Sequence, residues 1–263
     1  MKFKNIASIA AGLALASSSA FAFQGSLNDV IVGFTNTYTG ATNIEIDVGQ
    51  LRAYGPGTYN LGDVSSFLVS AYGAGWATSS NLAFGAAGWT GNLAPGNGDV
   101  KSTGYITAGW LSTTGTLGVQ NAGAPASSGS SAALNSSGQK MTSLYNAMGD
   151  ASATLLAPNV VSIPTATAAS WDKSNTSNFL FGRYDASLVT QLVSFNNGTF
   201  AAADLYKFSP SVAGEFIGTL ALDTAGNLSF TVIPEPSIYA AILGIATLGF
   251  VAIRRRKQSE LLA

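Results

Sequence analysis

Glu215-Phe216-Ile217-Gly218-Thr219-Leu220-Ala221-Leu222-Asp223, then Thr224-Ala225-Gly226, then Asn227-Leu228-Ser229-Phe230-Thr231-Val232 is the stretch that decides the fold. Both arms alternate apolar and polar residues with period two, the period that sends successive side chains to opposite faces of a strand. Phe216, Leu220 and Leu222 fall on one face of the first arm, and Leu228, Phe230 and Val232 on the matching face of the second. The short Gly-containing link between them reads as a hairpin turn. A hairpin with one apolar face needs a further layer to bury it, so the stretch announces a packed β structure.

The same grammar recurs upstream. Leu205-Tyr206-Lys207-Phe208, Phe179-Leu180-Phe181, Tyr105 to Leu111 and Leu82-Ala83-Phe84 read as short strands. Val30-Ile31-Val32-Gly33-Phe34 is another apolar run. Ile44-Glu45-Ile46-Asp47-Val48 alternates strictly, its acids expected on a solvated outer face. Thr39-Gly40 and Gly55-Pro56-Gly57 mark turns. Ser112 to Ser131 reads as a loop, and the segment bracketed by Pro158 and Pro164 as irregular. Two stretches switch to helical spacing. Asp63 is placed to cap a helix carrying Val64, Phe67, Leu68 and Ala71 on one stripe, with Gly73 to end it. A second helix from Ser136 or Ser137 aligns Met141, Leu144, Tyr145 and Met148 before Gly149. The expected fold class is mainly β, a sandwich-like body with two short amphipathic helices; an α+β layering is the alternative. One echo, Ser80 to Gly85 against Ser177 to Gly182, is too short to establish a repeat.

The two ends carry addresses. Lys2 and Lys4 precede an apolar stretch, Ile6 to Ala16, and the small-residue pattern Ala20-Phe21-Ala22 follows. That n-h-c order predicts a signal helix in residues 1–22, removed after Ala22 once the secretory translocon has engaged it. As a helix the apolar stretch spans only about 16 Å, against a hydrocarbon core of about 30 Å. At the other end, Ile233-Pro234-Glu235-Pro236-Ser237 leads into a charge-free run, Ile238 to Ile253, which stops at Arg254-Arg255-Arg256-Lys257. The run predicts a short transmembrane helix of about 24 Å, with the basic cluster held in the cytoplasm and the body outside. Two prolines one residue apart remove two backbone donors and keep the connecting segment extended.

Pro234-Glu235-Pro236, a following hydrophobic helix and the terminal Arg254, Arg255 and Arg256 together resemble the PEP-CTERM sorting signal of Gram-negative bacteria. The resemblance covers Ile233 to Lys257. It implies recognition by exosortase, a membrane-embedded processing enzyme that cuts near the Pro-Glu-Pro. It further implies release to the cell surface or extracellular matrix, typically in species that make exopolysaccharide or biofilm. The chain then divides into a signal peptide (1–22), an exported β-rich body (23–233) and a sorting tail (234–263), with the transmembrane run at 238–253 and the basic cluster at 254–257.

Composition bounds what the body can do. It holds six cations against eleven acids, a net charge of −5, whereas the whole chain stands at −1. Such a body has no electrostatic footprint for nucleic acid. Cysteine and histidine are both absent, which excludes disulfides, His-based nucleophilic triads and His- or Cys-ligated metal centres. No catalytic residue, cofactor or metal ligand is assigned, and the body is read as non-enzymatic. Trp76, Trp89 and Trp110 are candidates for stacking on exopolysaccharide, with Trp171, Tyr54 and Tyr59 behind them; core packing is the simpler role for such aromatics. The alternative is a secreted carboxylate-dependent glycoside hydrolase built on Glu45 and Glu215, which needs the two carboxyls about 5–10 Å apart.

Overall fold

The computed structural model describes residues 29–36, 42–79, 82–90, 103–109, 116–120, 141–142, 144–146, 152–167, 170–171, 193–194, 200–209, 214–232 and 243–251. Within them the chain is mainly β. Its strands are β1 (Val30–Asn36), β2 (Thr42–Asp47), β3 (Gly57–Asp63), β4 (Leu82–Trp89), β5 (Gly104–Gly109), β6 (Thr154–Ala157), β7 (Val160–Pro164), β8 (Val193–Ser194), β9 (Phe200–Phe208), β10 (Glu215–Asp223) and β11 (Asn227–Val232). All pairings are antiparallel. They join into one sheet of order β3-β11-β10-β9-β5-β4-β1-β2-β7-β6, with β8 added beside β4. The expected sandwich layers are thus parts of a single continuous sheet that curls on itself.

The inside of the curl is an apolar core. Val30, Val32 and Phe34 of β1, Ile44 and Ile46 of β2, Leu82, Phe84 and Ala86 of β4, Ala203 and Leu205 of β9, Leu220 and Leu222 of β10, and Leu228 and Phe230 of β11 form one buried cluster. The helix α1 (Ser65–Tyr72) belongs to the same core through Leu68, which is fully buried, with Phe67 and Ala71 packed at its margin. Gly73, at φ 86°, ends the helix as the spacing predicts, but the N-cap is Val64 rather than Asp63, whose Oδ1 accepts the Ser65 N–H at 2.8 Å from one residue further out. Tyr72 at its last turn donates its hydroxyl to the carbonyls of Phe34 and Thr42, fastening α1 to the end of the hairpin where β1 leads into β2.

The outside of the β1–β2–β4–β7 half is also covered. Ile31, Ala87, Trp89, Val161, Tyr206 and Phe208 pack there with Met141, Leu144, Tyr145 and Trp171. Residues 141–142 and 144–146 are helical, with Met141, Leu144 and Tyr145 buried as their spacing predicts; Met148 lies outside the described residues. The Tyr145 hydroxyl accepts the Trp89 N–H at 3.0 Å and donates to the Asp29 carbonyl at 2.7 Å, tying this layer to the ends of β1 and β4. Trp171 lies directly on Gly33: a Cβ built at that position meets its indole at 1.9 Å.

Three expectations are corrected. Residues 158–164 are not irregular, because Pro158 occupies the turn between β6 and β7 and Pro164 ends β7, positions where a missing N–H costs no ladder bond. Gly57 does not end a turn but opens β3, which pairs with β11. Phe216 does not share a face with Leu220 and Leu222: a bulge between Phe216 and Gly218 turns it to the outer layer, edge-on to Tyr206 at 5.9 Å. The signal segment 1–22, the strand at Phe179-Leu180-Phe181 and the second copy of the echo lie outside the described residues.

Gly33→Ala should therefore destabilise the protein by about 2–3 kcal/mol and shift tryptophan emission to the red, as the methyl displaces the Trp171 ring. Gly75→Ala, whose Cβ meets nothing within 4 Å, should stay within about 0.5 kcal/mol of the parent. Denaturant titration followed by fluorescence checks both.

Candidate functional site

The residues expected to carry chemistry are dispersed by the fold. Trp76 and Trp89 are each 4% exposed, the first in the inner core and the second in the outer layer, so neither offers a ring face to a sugar. Trp171 is spent on Gly33. Trp110 lies outside the described residues, as do Pro234, Glu235, Pro236, Arg254, Arg255 and Arg256. Tyr54 and Tyr59 are half-buried against each other, with centroids 4.4 Å apart, and Tyr54 reaches Phe230 edge-on.

Glu45 and Glu215 do not form a pair. Four strands separate β2 from β10 in the sheet. Glu45 pairs with Gly33 and Val161 on the outer layer, while Glu215 stands opposite Lys207, on the other face, and forms an ion pair with it. The hydrolase geometry is absent at these two residues.

The solvated-face expectation also fails for Glu45, which is fully buried. Its Oε1 accepts the Trp171 backbone N–H at 2.6 Å, and its Oε2 has no partner among the described residues. Burial pushes its carboxyl up to about 8, against the pull of the Trp171 bond. Two residues along the same face, Asp47 is raised to about 7, first by burial; the Gly49 N–H opposes this, and the neighbouring Asp29 carboxyl, hydrogen-bonded to it, adds to it. The β1–β2 hairpin thus carries three acids on its covered face, Asp29, Glu45 and Asp47, and alternation alone gives no sign of the layer that covers them. Thr35 and Asn43, both fully buried, extend this polar row. The described residues contain no group of three His, Cys, Asp or Glu that could hold a metal ion.

A second feature lies on β3, β11 and β10. Thr58, Asn60, Asn227, Ser229, Ala221 and Asp223 line an open groove of about 420 Å³, walled by Leu117. The wall is positioned by the Gly118 N–H, which donates to the Thr219 hydroxyl at 3.1 Å. The Thr58 and Thr231 hydroxyls meet at 3.1 Å beside the groove. Asp223 accepts from the N–H groups of Ala225 and Asn227 and from the Asn227 amide, so its charge serves the turn. What remains facing outward is hydroxyl and amide chemistry, suited to neutral polar ligands.

Comparisons of the chain with protein-family models, curated proteins and solved structures return no match.

The buried acids fix a sign for the pH dependence of stability. An unfolded Glu45 loses its proton near 4.5 and an unfolded Asp47 near 3.8, while the folded protein holds both protons to about 8 and about 7. Between those limits the folded state binds more protons, so stability is full in mild acid and falls as pH rises. The unfolding free energy from urea titrations should fall between about pH 4 and pH 8, by a few kcal/mol. Glu45→Gln keeps the acceptor for Trp171 and should flatten much of that slope, leaving the variant the more stable protein at the alkaline end.

Proposed function

We propose that this chain is an exported bacterial cell-surface or extracellular-matrix protein whose body has a non-catalytic, structural or polysaccharide-associated role. A signal peptide directs it through the secretory translocon. The tail from Pro234 anchors it transiently in the inner membrane, with Arg254, Arg255 and Arg256 as the cytoplasmic stop. An exosortase-type enzyme then cuts near Pro234-Glu235-Pro236, leaving the body at the surface or in the matrix.

The observation that carries this reading is the exposure of the tail helix. Residues 243–251 are helical, and Leu243, Ile245, Leu248, Phe250 and Val251 are exposed, four of them at 66–72%. The other exposed large apolar side chains among the described residues are Val69, Val119 and Leu155. A concentrated apolar surface of this kind, beside only three other exposed large apolar side chains among the described residues, is suited to a lipid environment. Among the described residues no helix is long and apolar enough to cross a membrane; the apolar run of the sequence continues on both sides of 243–251.

For the association with polysaccharide, the polar groove of Thr58, Asn60, Asn227 and Ser229, which the Asp223 carboxylate also lines, is a better candidate than the tryptophans. Its groups can exchange hydrogen bonds with sugar hydroxyls, and its walls need no rearrangement to be reached.

Intact mass measured on envelope and medium fractions tests the sorting reading. The expected product lacks residues 1–22 and the tail beyond the Pro-Glu-Pro region. Replacing Pro234, Glu235 and Pro236 together by alanine should leave the tail attached and the protein in the membrane fraction. An intact tail in the parent protein would instead make it a permanent single-pass anchor.

A further inference from the structure

The strand pattern places the two processed ends of the body at one pole. Val30, where β1 begins, stands opposite Gly88, which leads through Tyr105 and Lys207 to Glu215 across β4, β5, β9 and β10. Val232, where β11 ends, pairs with Gly57 at the start of β3. Since β11 is antiparallel to β10, with Thr231 opposite Thr219, it ends beside Gly218, in the first half of β10 and three residues from Glu215. The 48–56 connection between β2 and β3 belongs to this pole as well. The opposite pole holds the end of β3, the first turn of α1 and the 224–226 turn between β10 and β11.

We propose that the first pole is the membrane-facing surface of the tethered protein, and that the second pole, with the 224–226 turn, is the surface presented outward. This rests on the reading of the tail as a membrane anchor. Only five residues, 233–237, lie between the last strand and the apolar run. Fully extended they span about 17 Å, whereas the nine residues of β10 carry the 224–226 turn about 30 Å from the first pole. The tether is therefore shorter than the body it holds. The second end obeys the same geometry: six residues, 23–28, separate the expected signal cleavage from Asp29, so both cleavage sites sit close to the membrane on the same side of the sheet. The body can complete its fold with both ends still anchored.

The natural absence of cysteine allows a direct test. Ala53→Cys and Ala225→Cys, both at exposed sites, mark the two poles. Gln50→Cys and Thr224→Cys mark them a second time should either variant misfold. Each full-length protein is labelled with a fluorophore and reconstituted into phospholipid vesicles that carry a quencher on their headgroups. Quenching several-fold stronger at residues 53 and 50 than at residues 225 and 224 is the expected result. Equal or reversed quenching on protein that floats with the vesicles overturns the orientation while leaving the anchor intact. Failure to float overturns the anchor, and the orientation with it.

Discussion

The contact between Trp171 and Gly33 is the constraint on which the rest of the structure depends. An indole can lie flat on a strand only where no Cβ stands in its way, and Gly33 supplies that gap in the middle of β1. The ring then closes the outer face of the β1–β2 hairpin, and the buried Trp171 backbone N–H must find an acceptor inside the protein. Glu45, opposite Gly33 on β2, provides it. From that one contact follow a strand buried on both faces, a carboxyl that keeps its proton at neutral pH, and a hairpin that cannot behave as the outer wall of a sandwich.

This explains the shape of what the sequence makes legible. Period two identified β2, β10 and β11, short apolar runs marked β1, β4, β5 and β9, and the helical spacing identified α1 together with the Met141, Leu144 and Tyr145 stripe. The inner core is local in this sense: each strand declares its own inward face. The outer layer is not local. Whether Glu45 faces solvent or an indole depends on a residue 126 positions away, and no pattern within β2 encodes it. The same limit hid the acidic row of Asp29, Glu45 and Asp47.

Breakers misled the reading in a different way. Gly57 and Gly62 both take positive φ inside β3, where the register slips between Leu228 and Ser229, so residues that usually end strands here bend one. The prolines at 158 and 164 sit at strand ends, where they limit length without preventing pairing. The bulge before Gly218 shifts the parity of β10, so that one strand contributes Phe216 to the outer layer and Leu220 and Leu222 to the inner core. In each case the partner strand, and not the local residue type, decided the outcome.

The pairing of β3 with β11 links residues 57–63 to 227–232 and is among the longest-range contacts in the sheet. A strand formed early in synthesis must wait for nearly the whole body before its only ladder partner among the described strands arrives. Such non-local closure is slow, and it leaves an unpaired edge open to other chains in the interval. The segment that follows β11 is the one expected to halt in the membrane. On the proposed reading of the tail, arrest there would keep each chain separate from its neighbours while the last strand finds β3, and the tail would then be a folding tether as well as a sorting signal.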